Sequence, residues 1–330
     1  MPAIIVPERR KKMNETWQEE YRELLFGANH TEESIAKAIE LKYNHMPKHL
    51  YKYRCFTDNH LSALKAGRLY ATSTISLNDT KETNVVFSDN IEKLFIQKAY
   101  DCVKDQFGFP PMQVGSVSEI EKAISGYYDK SETQNKDTNP YDASDLEVFH
   151  NVAVSCVDQV MELLRKRIRS SYSVCCFSAE KDINSMWGLY ADSHQGFCIE
   201  YDFKSLGKHD QKCAFLFPVL YVEDTRIIMN SIDMIDPAVA MLATTLKERK
   251  EWEQEKEWRI IYDRSEDGKP QTMPKPTAIY LGEKANKQNQ IWMENFCREN
   301  SIPLYRMKYN QITDHIEPIV LAEYAHNQMI

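Results

Sequence analysis

The chain has 330 residues, 42% hydrophobic and 27% charged, with a formal net charge of −8 and a pI near 5.7. That is the make-up of an ordinary globular chain, long enough for one large domain or two smaller ones. The acidic balance argues against a general binder of nucleic acid or anionic membrane. Only 10 glycines argue against a Gly-rich all-β architecture, and no periodic repeat is present. The eight cysteines are Cys55, Cys102, Cys156, Cys175, Cys176, Cys198, Cys213 and Cys297. None falls in a CxxC pair and most sit in apolar runs, which reads as buried reduced thiols; a zinc site or a disulfide framework is the alternative. The start, MPAIIVPERRKK, lacks the apolar stretch of a signal peptide, and no segment approaches the ~20 apolar residues of a membrane span. The expected location is cytoplasmic, with no membrane contact.

In chain order, residues 1–13 read as a flexible start. Trp17, Tyr21, Leu24 and Leu25, then Ile35, Ala38, Ile39 and Leu41, have helical spacing. These two helices, within 1–47, are expected to pack on the core. Thr31 is the N-cap of the second, and Ser34 stands where a capping box would place Glu or Gln. Leu50–Phe56 is rich in strong β formers and reads as a strand. Asp58 caps a short helix, His60–Ala66, that Gly67 ends. Leu69–Thr72 is a further strand, leading into the polar loop Ser73–Glu82. Residues 84–170 read as a helical insertion: helices over Ile91–Phe107, Ser116–Tyr128 and Leu146–Arg169, with a polar loop at Asp129–Asn139. The cations Arg165, Lys166, Arg167 and Arg169 end the last helix and complement its dipole; a phosphate or RNA contact is the alternative.

Tyr172–Asp202 reads as strand, tight turn, short helix and strand. Asp182 or Asn184 caps the helix, and His194-Gln195-Gly196 terminates it. Ala214–Val222 is another strand. Asp236–Lys256 is expected to be one helix, with Asp236 as cap and Pro237 at its first position. Strands follow at Glu257–Tyr262 and Ala278–Gly282, then a helix at Gln288–Asn300 and a strand at Pro303–Met307. The fold class expected is α+β, with a mixed, mostly antiparallel sheet. The core is 48–83 with 171–310, and 311–330 is a C-terminal tail.

Three polar clusters lie on or beside these strands. Arg54, flanked by Tyr53 and Phe56, suits bidentate capture of a phosphate or carboxylate, or a structural ion pair with Glu257 or Asp79. Asn78-Asp79-Thr80-Lys81-Glu82 has oxygen ligands but too few acids and no glycine for an EF-type loop, so an Asx turn is the simpler expectation. In Glu253–Arg259, helix-forming preference accounts for Glu253 and Glu255 as a solvated helix end. Glu257 is different, because it opens an apolar strand with Arg259 on the same face. Hydrolase and dinucleotide-binding motifs are absent.

The pieces LYKYRCF, SLNDTKE, CCFS, MWGLYADSHQGFCIEYD, EKEWRIIY and AIYLG, in this order over roughly 48–310, resemble DUF2971, a bacterial family of unknown function. More distantly the layout resembles the ADP-ribosyltransferase fold, in its DNA-targeting toxin branch. That resemblance implies NAD as substrate, with Glu257 and Arg54 as catalytic residues and Tyr53, Ser178, Trp187, Tyr190 and Arg259 around the ligand. Glu257 would stabilise the oxocarbenium-like ribose, Arg54 hold the pyrophosphate, and Trp187 or Tyr190 stack on nicotinamide. Glu255-Lys256-Glu257 also resembles the ExE signature of arginine-modifying members. No clean Ser-Thr-Ser is present on the middle strand, and no metal is expected. The implied activity is an NAD-dependent ADP-ribosyltransferase or NAD glycohydrolase, a toxin or phage-defence effector. The acceptor, protein or nucleic acid, is not identified, and oligomerisation stays open. The alternatives are a non-catalytic nucleotide-sensing or protein-interaction module of a defence system, and a metal-dependent hydrolase using Asp79, Glu82 and Glu257.

Overall fold

The structure, a computed structural model, describes residues 17–27, 31–79, 81–107, 111–116, 118, 119, 122, 155, 159–229 and 237–323. Its strands, in chain order, are β1 (Leu50–Arg54), β2 (Arg68–Tyr70), β3 (Thr72–Ser73), β4 (Val85–Phe87), β5 (Tyr172–Ser178), β6 (Phe197–Tyr201), β7 (Leu216–Pro218), β8 (Leu220–Val222), β9 (Ile227–Met229), β10 (Leu246–Glu248), β11 (Glu257–Asp263), β12 (Pro270–Thr272), β13 (Ala278–Leu281), β14 (Leu304–Asn310) and β15 (His315–Ala322). The chain divides into two compact units, one holding Asn84–Arg169 with Arg226–Val239, the other holding the segments on either side of them.

The larger unit carries a nine-stranded sheet in the order β15-β14-β13-β6-β1-β5-β11-β7, with β3 added to β5. Among the described residues only β13 and β14 run parallel within it; the other pairs are antiparallel. The expected α+β class with a mixed, mostly antiparallel sheet is therefore the class observed. Period-2 alternation sorts the side chains onto two faces. Leu50, Phe177, Phe197, Ile199, Tyr201 and Trp258 join one core cluster. Tyr51, Tyr53, Trp187, Cys198 and Tyr280 join another. Trp187, with no exposed surface, contributes on the order of 1.5–3 kcal/mol or more by burial alone. The N-terminal helix Trp17–Phe26 packs on the first cluster, its Trp17 ring stacked 6.2 Å from Trp258.

Several local expectations are corrected. Thr31 does cap the helix Glu32–His45, and the capping box is complete, because the Ser34 hydroxyl accepts from the Thr31 N–H at 2.8 Å. A serine serves as well as Glu when its oxygen reaches back. Thr57 rather than Asp58 caps Asp58–Lys65. The helix Asn184–Tyr190 begins without a side-chain cap. It ends in a turn where Asp192, Ser193 and His194 all take positive φ. Gly196 follows because its backbone is wedged in: a Cβ there would lie 2.2 Å from the Arg54 carbonyl oxygen.

The long helix expected over Asp236–Lys256 is instead Pro237–Thr245, then β10, the short helix Arg249–Trp252 and a tight turn. Asp236 itself lies outside the described residues. Helical propensity there yields to pairing of β10 with β8 and to burial of Lys247. The expected C-terminal tail supplies β15, which pairs along the length of β14.

The smaller unit pairs β4 with β9 in parallel and carries the helix Asp89–Phe107. Residues 159–169 are helical, and the Arg165 guanidinium lies 5.8 Å over the Phe87 ring. The start expected to be flexible over 1–13, the loop expected at Asp129–Asn139, and most of the helices expected at Ser116–Tyr128 and before residue 159 lie outside the described residues. No helix among the described residues is long and apolar enough to cross a membrane.

Candidate functional site

Strand β11 begins immediately after a left-handed residue, Lys256 (φ 45°). That turn, tied by Ala179 N–H to the Lys256 carbonyl at 2.9 Å, lets the chain enter the sheet opposite β5. The register places Glu257 opposite Ser178 and Arg259 opposite Cys176, so all four side chains share a face. The Ser178 hydroxyl donates to the Glu255 carbonyl at 2.7 Å and holds the turn. Next to it, β10 lies parallel to β8 with Lys247 opposite Tyr221. The Tyr221 hydroxyl accepts from Glu257 N–H at 2.8 Å.

From these elements a buried ionic network forms. Arg259, 1% exposed, uses its whole guanidinium fork. It donates to both Glu257 oxygens at 2.9 and 3.0 Å, to both Glu82 oxygens at 2.7 and 2.6 Å, and to the Thr244 carbonyl at 2.7 Å. Lys247, 2% exposed, lies 2.9 Å from Glu255 Oε2 and 3.0 Å from Glu257 Oε2, and its ammonium sits 4.2 Å from the Trp252 ring centroid. The polar loop delivers Glu82: Asp79 accepts from Lys81 N–H at 2.8 Å in the expected Asx turn. Lys81 pairs with Glu248. Toward solvent, the Tyr190 hydroxyl donates to Glu255 Oε1 at 2.9 Å and accepts from the exposed Asn78 side chain at the same distance.

Three carboxylates face two cations, so the site as drawn carries one excess negative charge, and the carboxyl groups share it unequally. Burial alone would raise Glu257, but Arg259 and Lys247 outweigh it and hold that carboxyl well below the ordinary range. Glu255 goes the other way: burial raises it, Lys247 opposes, and the Glu257 charge raises it further. Burial and then Glu255 raise the Tyr190 phenol. Two adjacent carboxyls pushed in opposite directions are the pattern that separates a permanent anion from a proton carrier.

Of the residues expected at the site, Glu257, Arg259 and Tyr190 belong to this one network, and Ser178 supports it from behind. Trp187 and Tyr53 are core residues with satisfied polar atoms. The Trp187 indole donates to the Lys181 carbonyl at 2.7 Å, and the Tyr53 hydroxyl donates to the Glu180 carbonyl at 2.8 Å. Arg54 is elsewhere. Tyr51 lies opposite Ser178, which lies opposite Glu257. Tyr51 and Tyr53 therefore share the Glu257 face, and Arg54 takes the other. The expected shared cleft for Arg54 and Glu257 is thus replaced by two sides of one sheet, and no hydrogen bond or ion pair joins them among the described residues.

Lys247 was not legible as a site residue, and Glu255 was marked only by the ExE-like Glu255-Lys256-Glu257. Glu255, expected as a solvated helix end, is 3% exposed. A physical signal was the charge alternation Glu255, Glu257, Arg259 running into an apolar strand, which is a period of two and not of a helix face. Among the described residues, no group of three or more His, Cys, Asp or Glu side chains is arranged to hold a metal ion.

A family model described as a protein of unknown function (DUF2971) matches residues 186–260. The match supports the resemblance to that family and spans Tyr190, Lys247, Glu255, Glu257 and Arg259. No curated protein and no solved structure gives a significant match.

Proposed function

We propose that this chain cleaves the bond between nicotinamide and ribose in NAD, as an ADP-ribosyltransferase or NAD glycohydrolase. The observation that carries the reading is the pair Glu255 and Glu257, two carboxyls on one buried ammonium with their proton affinities driven apart. When the glycosidic bond breaks, its electron pair leaves on the nicotinamide nitrogen, so the leaving group needs no proton. Positive charge develops on the ribose, and a permanently ionised Glu257 stabilises it. The incoming water or acceptor must lose a proton, and Glu255 is the group able to take it. Tyr190 orients Glu255 from the solvent side. Consumption of NAD, or modification of an acceptor, would make the protein a toxin or a phage-defence effector.

The test is nicotinamide release from NAD by purified protein, with and without a cell lysate as acceptor source. Release is expected for the native chain and a loss of at least ~100-fold for Glu255→Gln, with the circular dichroism spectrum retained. Absence of release from the native chain in both conditions would refute the reading.

A second reading is favoured by one observation: both Glu257 oxygens are already taken, by Arg259 and Lys247. On it, the network is a structural clamp in a non-catalytic nucleotide-sensing or protein-interaction module. A rise in melting temperature with NAD but without turnover would favour this second reading.

A further inference from the structure

The ladder in the middle of the large sheet is incomplete. Strand β1 pairs with β6 at all five positions from Leu50 to Arg54. With β5, its neighbour on the other side, it shares the single pair Tyr51 and Ser178. Beyond that pair the two strands are no longer laddered, and two basic side chains occupy their separation. The Lys52 ammonium donates to the Cys176 carbonyl at 2.6 Å and lies 5.8 Å from the centre of the Phe177 ring. The Arg54 side chain, half-buried, has no hydrogen bond and no ion pair among the described residues. Tyr201, 2% exposed, is within electrostatic range of Arg54. Its hydroxyl likewise has no hydrogen-bond partner among the described residues.

The charge balance here is one-sided. After burial, the strongest electrostatic influences on Arg54 come from Cys175, Tyr201, Cys176 and Cys55, none of them a carboxyl. Around Lys52 they are Arg54, Cys176, Cys175 and, last, Glu257. His60 is near both cations and is lowered first by burial, so it supplies no negative charge. Burial pulls Lys52 down to about 8, and the Arg54 charge acts in the same direction. Glu257, the one carboxylate acting on Lys52, is already bound by Arg259 and Lys247, and two cations in a partly desolvated seam are costly unless something anionic of their own completes them. A guanidinium fork, an ammonium and a phenolic O–H together form a donor set for a tetrahedral oxyanion.

We propose that the seam between β1 and β5 is a binding site for a phosphoryl group, held by Arg54, Lys52 and the Tyr201 hydroxyl. It lies on the sheet face opposite Glu257 and does not rest on the NAD reading. The ligand is inorganic phosphate or the phosphate of a small monoester, and the two are separable by assay.

The experiment is a thermal melt of the full chain in phosphate-free buffer at constant ionic strength, titrated with inorganic phosphate, AMP or adenosine. A rise of at least ~2 °C with phosphate or AMP, absent with adenosine, is expected at saturation. A response to AMP alone assigns the monoester, and a response to both assigns the phosphate group itself. Arg54→Met should abolish the rise, and Arg54→Lys should weaken it about tenfold in apparent affinity because the fork is lost. Glu255→Gln should leave it unchanged, which separates this site from the NAD chemistry. Without ligand, Arg54→Met should melt at or above the native temperature, since it removes an unpaired cation. No rise with either ligand, an equal rise with adenosine, a rise that survives in Arg54→Met, or a ligand-free melt well below native would each overturn the proposal.

Discussion

Replacing Arg259 by methionine tests the ionic network most directly. The side chain lies 1% exposed and makes five hydrogen bonds, four of them to the carboxylates of Glu82 and Glu257. Methionine fills much of the same volume but leaves both carboxylates in the interior, with Lys247 as the remaining cation near them. Breaking one side of such a buried pair costs about 3–5 kcal/mol, because the partner's charge stays desolvated. For a unit of this size that corresponds to a fall of roughly 6–20 °C in melting temperature. Urea unfolding at pH 7, followed by tryptophan fluorescence, measures it. The loss should also depend on pH. Arg259 holds Glu257 below its free-chain value, so its contribution is fully present above the unfolded pKa of ~4.3 and is lost as pH falls through the folded value. The gap between native and variant should therefore narrow as pH drops from 7 toward 3. A loss under ~1 kcal/mol at pH 7, or a gap that widens in acid, would refute the network as described.

Two other substitutions probe the surroundings. Tyr190→Phe removes a hydrogen bond that lowers Glu255. It should cost about 0.5–1.5 kcal/mol of stability and move the acid limb of nicotinamide release to higher pH, since Glu255 must be ionised to accept a proton. An acid limb that stays in place would remove Glu255 from the chemistry. Gly196→Ala puts a methyl 2.2 Å from the Arg54 carbonyl oxygen and 2.8 Å from that of Ala191. Both obstacles are backbone, so the strands must separate, at about 1–3 kcal/mol or more; an unchanged melting curve would contradict the close approach.

The strands that build the sheet were largely legible, because β1, β5, β6, β11 and β13 are apolar runs or period-2 alternations bounded by turn residues. What escaped reading depends on long-range pairing. Leu246–Glu248 is three residues within a highly charged segment of good helix formers, and it becomes a strand because β8 is beside it. Glu255 is buried by contacts with Tyr190 and Lys247, neither near it along a helix face. Parity within a strand correctly placed Glu257 and Arg259 together. Parity says nothing, however, about which face of β1 corresponds to which face of β11. That relation passes through the single pair of Tyr51 with Ser178, and it put Arg54 on the far side.

The ladder between β1 and β6 also has a kinetic meaning. Leu50 finds its partner only when Tyr201 is available, and Ala278–Leu281 must arrive before β6 is paired on its other edge. Pairings this distant in sequence must overcome loop-closure entropy before any contact rewards them, which slows folding. During synthesis this central strand leaves the ribosome before either of its sheet neighbours and must wait for them. Its Lys52 and Arg54 then have a second use, as charges that keep an unpaired Leu-Tyr-Lys-Tyr-Arg segment from pairing with another chain.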